Sequence, residues 1–125
     1  MKINSEVPKE PKKLVTSHTG PVYAIKFNHT GEYAMTGSED RSVCLYNPNK
    51  NIMIKHYKNL HNYHIADLDI NKDNSKFITG GGDKLVMVTD VIEAKQIRKY
   101  LGHNNRITSV IYAAEDNVIV TFYCL

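Results

Sequence analysis

Two stretches of the chain, MTGSEDRSVCLYN at residues 35–47 and ITGGGDKLVMVTD at residues 78–90, align without a gap. The glycines of the second stretch suggest a phosphate-binding loop, yet the first stretch has Gly-Ser-Glu at the same place. A P-loop also requires serine or threonine after its lysine, whereas Lys84 is followed by leucine. Both stretches therefore predict a tight hairpin turn in which glycine supplies the unusual backbone angles.

The aligned stretches are part of a longer repeat marked by His18, His61 and His103, which are 43 and then 42 residues apart. Apolar residues follow each histidine by 4, 7 and 9 positions, and a threonine follows by 18 positions. An aspartate follows the first two histidines by 22 positions. A period of this length is typical of propellers and other arrays of similar units. The threonines are Thr36, Thr79 and Thr121, and the aspartates are Asp40 and Asp83.

Each unit contains short runs rich in valine, isoleucine, threonine and tyrosine, which are separated by turn residues and show no helical period. A single four-stranded sheet has two apolar faces that only neighbouring sheets can cover. We therefore predict an all-β, partial β-propeller with two four-stranded antiparallel blades and the first two strands of a third. The predicted strands are 22–27, 33–36, 42–46 and 52–57 in the first unit, and 64–70, 76–79, 85–89 and 96–100 in the second.

The chain resembles the WD-repeat propeller family from residue 12 to about residue 121. The resemblance rests on the Gly-His pair at 102–103, the apolar pattern after each repeat histidine, the turn aspartates, and Thr-Asp at 89–90, where the family has Trp-Asp. The stretches 90–91, 98–100 and 102–103 are also similar to scaffolds of the mitogen-activated protein kinase organizer type. That type gathers kinases and is found with spliceosomal assemblies, which implies protein partners of these two kinds.

The family resemblance implies a hydrogen-bond tetrad in each blade, formed by a loop histidine, a strand threonine or serine, a turn aspartate and a tryptophan. A buried imidazole needs partners for both nitrogens, and a carboxylate beside it orients the ring. The chain has no tryptophan, so Tyr46 and Thr89 stand at the tryptophan positions of the first two blades. The implied tetrad residues are His18, Thr36, Asp40 and Tyr46, then His61, Thr79 and Asp83, and finally His103 and Thr121.

The resemblance also divides the chain into segments. We expect a disordered tail at residues 1–11 and a WD-repeat region at 12–125. Within that region we expect a ring-closing strand at 12–17, repeat 1 at 18–60, repeat 2 at 61–102 and an incomplete repeat 3 at 103–125. Since a full ring needs more blades, the chain is expected to be truncated, with open blade faces that favour self-association.

Composition argues against several classes of function. A net charge of +3, spread along the chain, is too weak to predict nucleic-acid binding. Cys44 and Cys124 lie too far apart to suggest a disulfide framework or a zinc motif, and His61 and His64 would point to opposite sides of a strand. We predict no metal and no cofactor. No apolar run is long enough for a membrane span, so a cytoplasmic or nuclear protein is expected.

Function is expected to reside in loops at the rim of the propeller. The leading hypothesis is a non-enzymatic scaffold for other proteins. The alternatives are a subunit of an RNA-processing assembly, a non-functional fragment of a longer propeller, and an enzyme built on the fold. The enzyme is disfavoured because Asp67 and Asp69 are expected to be solvent-exposed without a catalytic partner. Tyr23 and the other strand tyrosines are expected to pack within blades, which argues against a stacking surface for RNA. The candidate contact residues are Pro21, Tyr63, His64, Asn104, Asn105 and Arg106.

Overall fold

The computed structural model describes residues 17–113 and 118–124, and within them every regular element is a β-strand. The described part accordingly contains no helix that is long and apolar enough to cross a membrane. The predicted tail and all of the predicted ring-closing strand except Ser17 lie outside the described residues. The strands are β1 Val22–Phe27, β2 Ala34–Ser38, β3 Val43–Asn47, β4 Ile52–Tyr57, β5 Ile65–Ile70, β6 Lys76–Gly81, β7 Val86–Asp90, β8 Gln96–Tyr100, β9 Ile107–Tyr112 and β10 Ile119–Tyr123.

The strands form three antiparallel sheets that follow the sequence repeat. Blade one has the order β1-β2-β3-β4, blade two has the order β5-β6-β7-β8, and β9 pairs with β10 in a partial third blade. A register shift occurs between Val22 and Ala24 in blade one and at the matching place, between Ile65 and Asp67, in blade two. The all-β prediction and the division into sheets of four, four and two strands are therefore confirmed.

The inner strands of blades two and three each pack on the middle of the preceding blade. Ile65 and Leu68 of β5 are fully buried against blade one, and Ile107 and Val110 of β9 are buried against blade two. These are the residues that follow the repeat histidines by 4 and 7 positions. Two separate cores result. The first joins Ala24, Met35, Val43, Leu45, Tyr57, Ile65, Leu68 and Phe77, and the second joins Ile78, Val86, Val88, Ile107 and Val110.

The predicted tight turns are present between β2 and β3 and between β6 and β7, but the prediction that glycine supplies their unusual backbone angles is wrong. Gly37 and Gly80 lie inside β2 and β6, and the turn residues with positive φ are Arg41 (69°) and Lys84 (70°). A Cβ on Gly37 would lie 2.6 Å from Cγ2 of Ile65, and one on Gly80 would lie 2.5 Å from Cγ2 of Ile107. Glycine is therefore needed because the next blade approaches the backbone at these two positions.

In blade one, no sheet covers the apolar face of the inner strand β1 within the described residues. Val22 is 49% exposed and Ile25 is 60% exposed, although they match the fully buried Ile65 and Leu68. At the other end of the stack, all five residues of β8 are exposed. Phe122 of β10 is 60% exposed. The described part of the chain thus has the stacking of an open, partial propeller.

Candidate functional site

A buried histidine joins the loop, the strand and the turn of blade two. Nδ1 of His61 lies 2.9 Å from Oδ1 of Asp83, and Nε2 lies 2.7 Å from Oγ1 of Thr79. The side chain of His61 is fully buried and that of Asp83 is 6% exposed. Both ring nitrogens are thus satisfied, with the carboxylate fixing the orientation of the ring.

Blade one repeats this arrangement with one additional hydroxyl group. His18 places Nδ1 3.0 Å from Oδ2 of Asp40 and Nε2 2.7 Å from Oγ1 of Thr36. Oγ of Ser42 lies 3.1 Å from Nδ1 of His18 and donates a hydrogen bond to Asp40 at 2.5 Å. In the partial third blade, Nε2 of His103 lies 2.8 Å from Oγ1 of Thr121, and the matching turn position, Leu125, lies outside the described residues.

The two blades differ at the position where the resemblance implies a tryptophan. The hydroxyl of Tyr46 makes a short hydrogen bond with that of Ser17. Thr89 is fully buried, and its Oγ1 finds no hydrogen-bond partner among the described residues. The shorter side chain of Thr89 therefore leaves blade two with an unsatisfied hydroxyl where blade one has a bonded one.

The turn carboxylates are held in their charged form. Burial acts to raise the pKa of Asp40, but hydrogen bonds from Ser42, the Thr19 amide and His18 outweigh it and lower the pKa to about 2. Burial likewise acts to raise the pKa of Asp83, and it is outweighed by His61 and by two backbone amides, so the pKa is lowered. Each carboxylate thus acts as a hydrogen-bond acceptor that ties the loop to the turn.

The loops that carry the predicted contact residues are anchored through their backbone. The carbonyl of Pro21 accepts a hydrogen bond from the Glu39 amide at 2.9 Å, and that of His64 accepts one from the Gly82 amide at 3.0 Å. The Arg106 carbonyl accepts from the Cys124 amide at 3.1 Å. These pairs occupy matching places in the three repeats, so the same backbone hydrogen bond, here called the carbonyl latch, fixes each loop to its own blade.

The side chains on these loops remain accessible. Pro21, Asn104, Asn105 and Arg106 are exposed, and Tyr63 is 62% exposed. His64 is half-buried because Tyr23 packs edge-on against it, with ring centroids 5.4 Å apart. Tyr23 itself is 51% exposed, so the prediction that it packs within a blade is wrong. We call the exposed part of Pro21, Tyr23, Tyr63, His64 and Asn104–Arg106 the loop edge.

Two predicted surface carboxylates instead link blades two and three. Oδ2 of Asp67 accepts a hydrogen bond from the Val110 amide at 3.0 Å, and Oδ2 of Asp69 accepts one from the Tyr112 amide at 2.8 Å. Both aspartates are half-buried, so the prediction that they are solvent-exposed is wrong. Each of these β5 carboxylates accepts a hydrogen bond from one amide on the edge of β9. Such a contact between neighbouring blades is visible only in the structure.

Sequence reasoning also missed two buried asparagines, which directly follow β1 and β5 and hydrogen-bond across the turns after these strands. Oδ1 of Asn28 accepts from the Tyr33 amide at 2.9 Å, and Oδ1 of Asn71 accepts from the Lys76 amide at 3.0 Å. Both follow a repeat histidine by 10 positions, so extending the alignment by this one offset would have found them. Nδ2 of Asn28 also donates to Asn74 of blade two at 3.2 Å.

A second cluster lies beside the blade-one histidine. His18, Cys44 and His56 each offer one ligand atom, and the three atoms lie within 4.8 Å of one another. Cys44 is fully buried and His56 is half-buried, with its Nε2 buried and without a partner among residues 17–113 and 118–124. Burial raises the pKa of the Cys44 thiol and lowers the pKa of His56. No sequence pattern predicts this cluster, because its members come from a loop, β3 and β4.

Comparison with known proteins gives one family match and several relatives. Residues 9–47 match the family model described as WD domain, G-beta repeat. The WD repeat domain-containing protein 83 homolog of Dictyostelium discoideum is 35% identical over 108 residues, which are 86% of this chain and 33% of the relative. WD repeat domain-containing protein 83 of Xenopus laevis is 35% identical over 71 residues, which are 57% of this chain and 22% of the relative.

A third relative carries a different name. The serine-threonine kinase receptor-associated protein of Dictyostelium discoideum is 27% identical over 106 residues, which are 82% of this chain and 34% of the relative. The chain thus spans about a third or less of the curated relatives described here.

Proposed function

We propose that this chain, which is similar to the WD40 repeat family over residues 9–47, is a non-enzymatic scaffold that binds other proteins through the loop edge. The supporting observation is the combination of anchored backbone and exposed side chains at matching places of three successive repeats. A prearranged surface of this kind loses little conformational entropy on binding. Tyrosine and arginine are also the residue types most often found at the centre of protein interfaces.

The chemistry of the buried polar groups favours recognition over catalysis. Within the described residues, the ring nitrogens of His18 and His61 are bound to threonine and aspartate of their own blades. A general base needs a free nitrogen within reach of a substrate proton, and these histidines do not offer one. Asp67 and Asp69 are likewise bonded to backbone amides of the next blade.

For the identity of the partners, we propose components of a mitogen-activated protein kinase cascade. The support is the similarity of the chain to WD repeat domain-containing protein 83 and the resemblance of residues 90–103 to the kinase-organizer type of scaffold. Such a protein would act in the cytoplasm or the nucleus.

The test is a binding experiment with the immobilised full chain and purified kinases of such a cascade, measured by biolayer interferometry. The variant Tyr63→Ala removes an exposed aromatic side chain from the loop edge without touching a core. The variant His29→Ala changes an exposed residue at the opposite end of β1 and serves as the matched control.

We expect Tyr63→Ala to weaken kinase binding by about tenfold, which corresponds to about 1.4 kcal/mol, and His29→Ala to leave it unchanged. Equal binding by the two variants would contradict the loop edge as the binding surface. Binding of spliceosomal proteins in place of kinases would replace the kinase proposal with the RNA-processing alternative. Binding of neither group would favour a fragment that lacks function by itself.

A further inference from the structure

The cluster of His18, Cys44 and His56 combines three side chains that bind transition metals. Cys44 and His56 are directly paired across β3 and β4, and His18 reaches them from the loop before β1, with its ring centroid 6.1 Å from that of His56. Thiolate and imidazole are the ligands that zinc prefers in proteins. The three ligand atoms lie within 4.8 Å of one another, so small side-chain movements would bring them around one ion.

Two further observations point to a ligand. Nε2 of His56 is buried and makes no hydrogen bond within the described residues, which is unusual for an imidazole nitrogen. His18 is also already supported as a metal ligand would be, because its Nδ1 lies 3.0 Å from Oδ2 of Asp40. A carboxylate that holds the far nitrogen of a ligating histidine is a recurrent feature of zinc sites.

We propose that His18, Cys44 and His56 form a zinc-binding site in blade one, with ligation through Sγ of Cys44 and Nε2 of both histidines. The Cys44 thiol releases its proton to solvent when the ion binds, so that a thiolate and two neutral imidazoles hold it. A water molecule completes the tetrahedral coordination. This site replaces the expectation from the sequence that the chain binds no metal.

The geometry requires one exchange of partners. Tetrahedral bonds of zinc to nitrogen and sulfur place the ligand atoms about 3.3–3.6 Å apart, so separations that now lie within 4.8 Å must shorten by at most about 1.5 Å. Nε2 of His18 must also give up its hydrogen bond to Thr36, now 2.7 Å long. Binding therefore replaces one neutral hydrogen bond with a coordinate bond and keeps the contact with Asp40.

Blade two supplies a matched control for this site. The residues that correspond to Cys44 and His56 are Met87 and Lys99, which are paired across β7 and β8 in the same register. The double variant Cys44→Met/His56→Lys therefore carries side chains that the other blade already accommodates. The variant Cys124→Ser removes the other cysteine, which lies outside the cluster.

The experiment titrates the reduced, metal-free full chain with Co²⁺, whose thiolate complex absorbs in the near ultraviolet, and then displaces it with Zn²⁺. We expect the thiolate–cobalt band to saturate at one ion per chain in the parent protein and in Cys124→Ser. The band should be absent from the double variant. A second variant, His56→Gln, keeps the thiol but removes a ligand, so it should weaken Zn²⁺ binding by more than the roughly tenfold that loss of an outer-shell partner typically costs.

Thermal unfolding gives an independent measurement. A ligand that binds only the folded chain raises the midpoint of unfolding, so Zn²⁺ should stabilise the parent protein and not the double variant. A folded parent protein with no thiolate–cobalt band would overturn the proposal. So would a band that persists in the double variant and disappears in Cys124→Ser, because that result would place an adventitious ion at Cys124.

Discussion

Blade one and blade two have the same four strands in the same register, but their inner strands have opposite environments. Ile65 and Leu68 of β5 are fully buried, whereas the matching Val22 and Ile25 of β1 are about half exposed or more. The outer strands show a further difference. Tyr57 of β4 is buried and donates a hydrogen bond to the Val91 carbonyl at 2.6 Å, while the corresponding Tyr100 of β8 is 42% exposed.

The comparison distinguishes the formation of each sheet from the burial of its faces. The local sequence, with its alternating apolar residues and its turns, is sufficient to form each sheet. Burial depends on whether another sheet packs on the face in question. Blade two packs against blade one on one face and against the partial third blade on the other. The same repeat pattern therefore stabilises blade two more than blade one.

The largest expected difference concerns the two histidines. His61→Ala removes a fully buried side chain and leaves Asp83 and Thr79 without their partner, so we expect a loss of about 3–5 kcal/mol in the free energy of unfolding. His18→Ala should cost less, because the blade-one pair is more exposed and Ser42 still bonds Asp40. Urea unfolding of both variants, with His29→Ala as the control, measures the two losses. Equal losses would show that the blades are equivalent in stability.

The next effect concerns the close approach of blades. Gly80→Ala would place a Cβ 2.5 Å from Cγ2 of Ile107, and Gly37→Ala would place one 2.6 Å from Cγ2 of Ile65. We expect each to lower the free energy of unfolding by about 1–3 kcal/mol through overpacking. Gly20→Ala is the control, since its nearest neighbour is 3.4 Å away. If urea unfolding showed no difference among the three variants, the glycines would not be needed for stacking.

A smaller effect distinguishes two fully buried threonines of blade two. Thr79→Val removes the hydroxyl that pairs with His61 and should cost about 1–2 kcal/mol. Thr89→Val removes a buried hydroxyl without a partner in the described part of the chain, so we expect no loss or a gain of about 1 kcal/mol. Thermal unfolding of the two isosteric variants makes the comparison. A loss of stability in Thr89→Val would reveal a hydrogen bond at Thr89.

The smallest expected effect is a dependence on pH in blade two. The pKa of Asp83 is lowered in the folded chain from its ordinary value of 3.8. Its contribution to stability is therefore complete above pH 3.8 and is lost as the pH falls through the lower, folded-state pKa. Asp83→Asn should flatten the slope of unfolding free energy against pH in this acidic range, measured by urea unfolding. An unchanged slope would mean that Asp83 does not titrate with unfolding.

The sequence allowed the strands and the sheet order to be predicted because both depend on local patterns. The eight strands predicted for the first two units are present; three of them have the predicted bounds, and the ends of the others differ by at most two residues. The role of Gly37 and Gly80 was misassigned because the contact that excludes a side chain comes from the next repeat. Asp67 and Asp69 were misassigned for the same reason, since their partners are 43 residues away.

The candidate site was predictable only where it repeats. His61, Thr79 and Asp83 were found together because their spacing recurs in blade one. The cluster of His18, Cys44 and His56 occurs once, so no repeat could reveal it. Exposure of the loop side chains depends on packing between neighbouring loops, as the contact of Tyr23 with His64 shows.

The carbonyl latch has a consequence for how this fold can change. Because the Pro21, His64 and Arg106 loops are held by backbone carbonyl groups, almost any residue could provide the same hydrogen bond. Substitutions at these positions would alter what the surface recognises and leave its scaffold intact. A library that randomises the three loops together should therefore yield mostly folded proteins with new binding preferences.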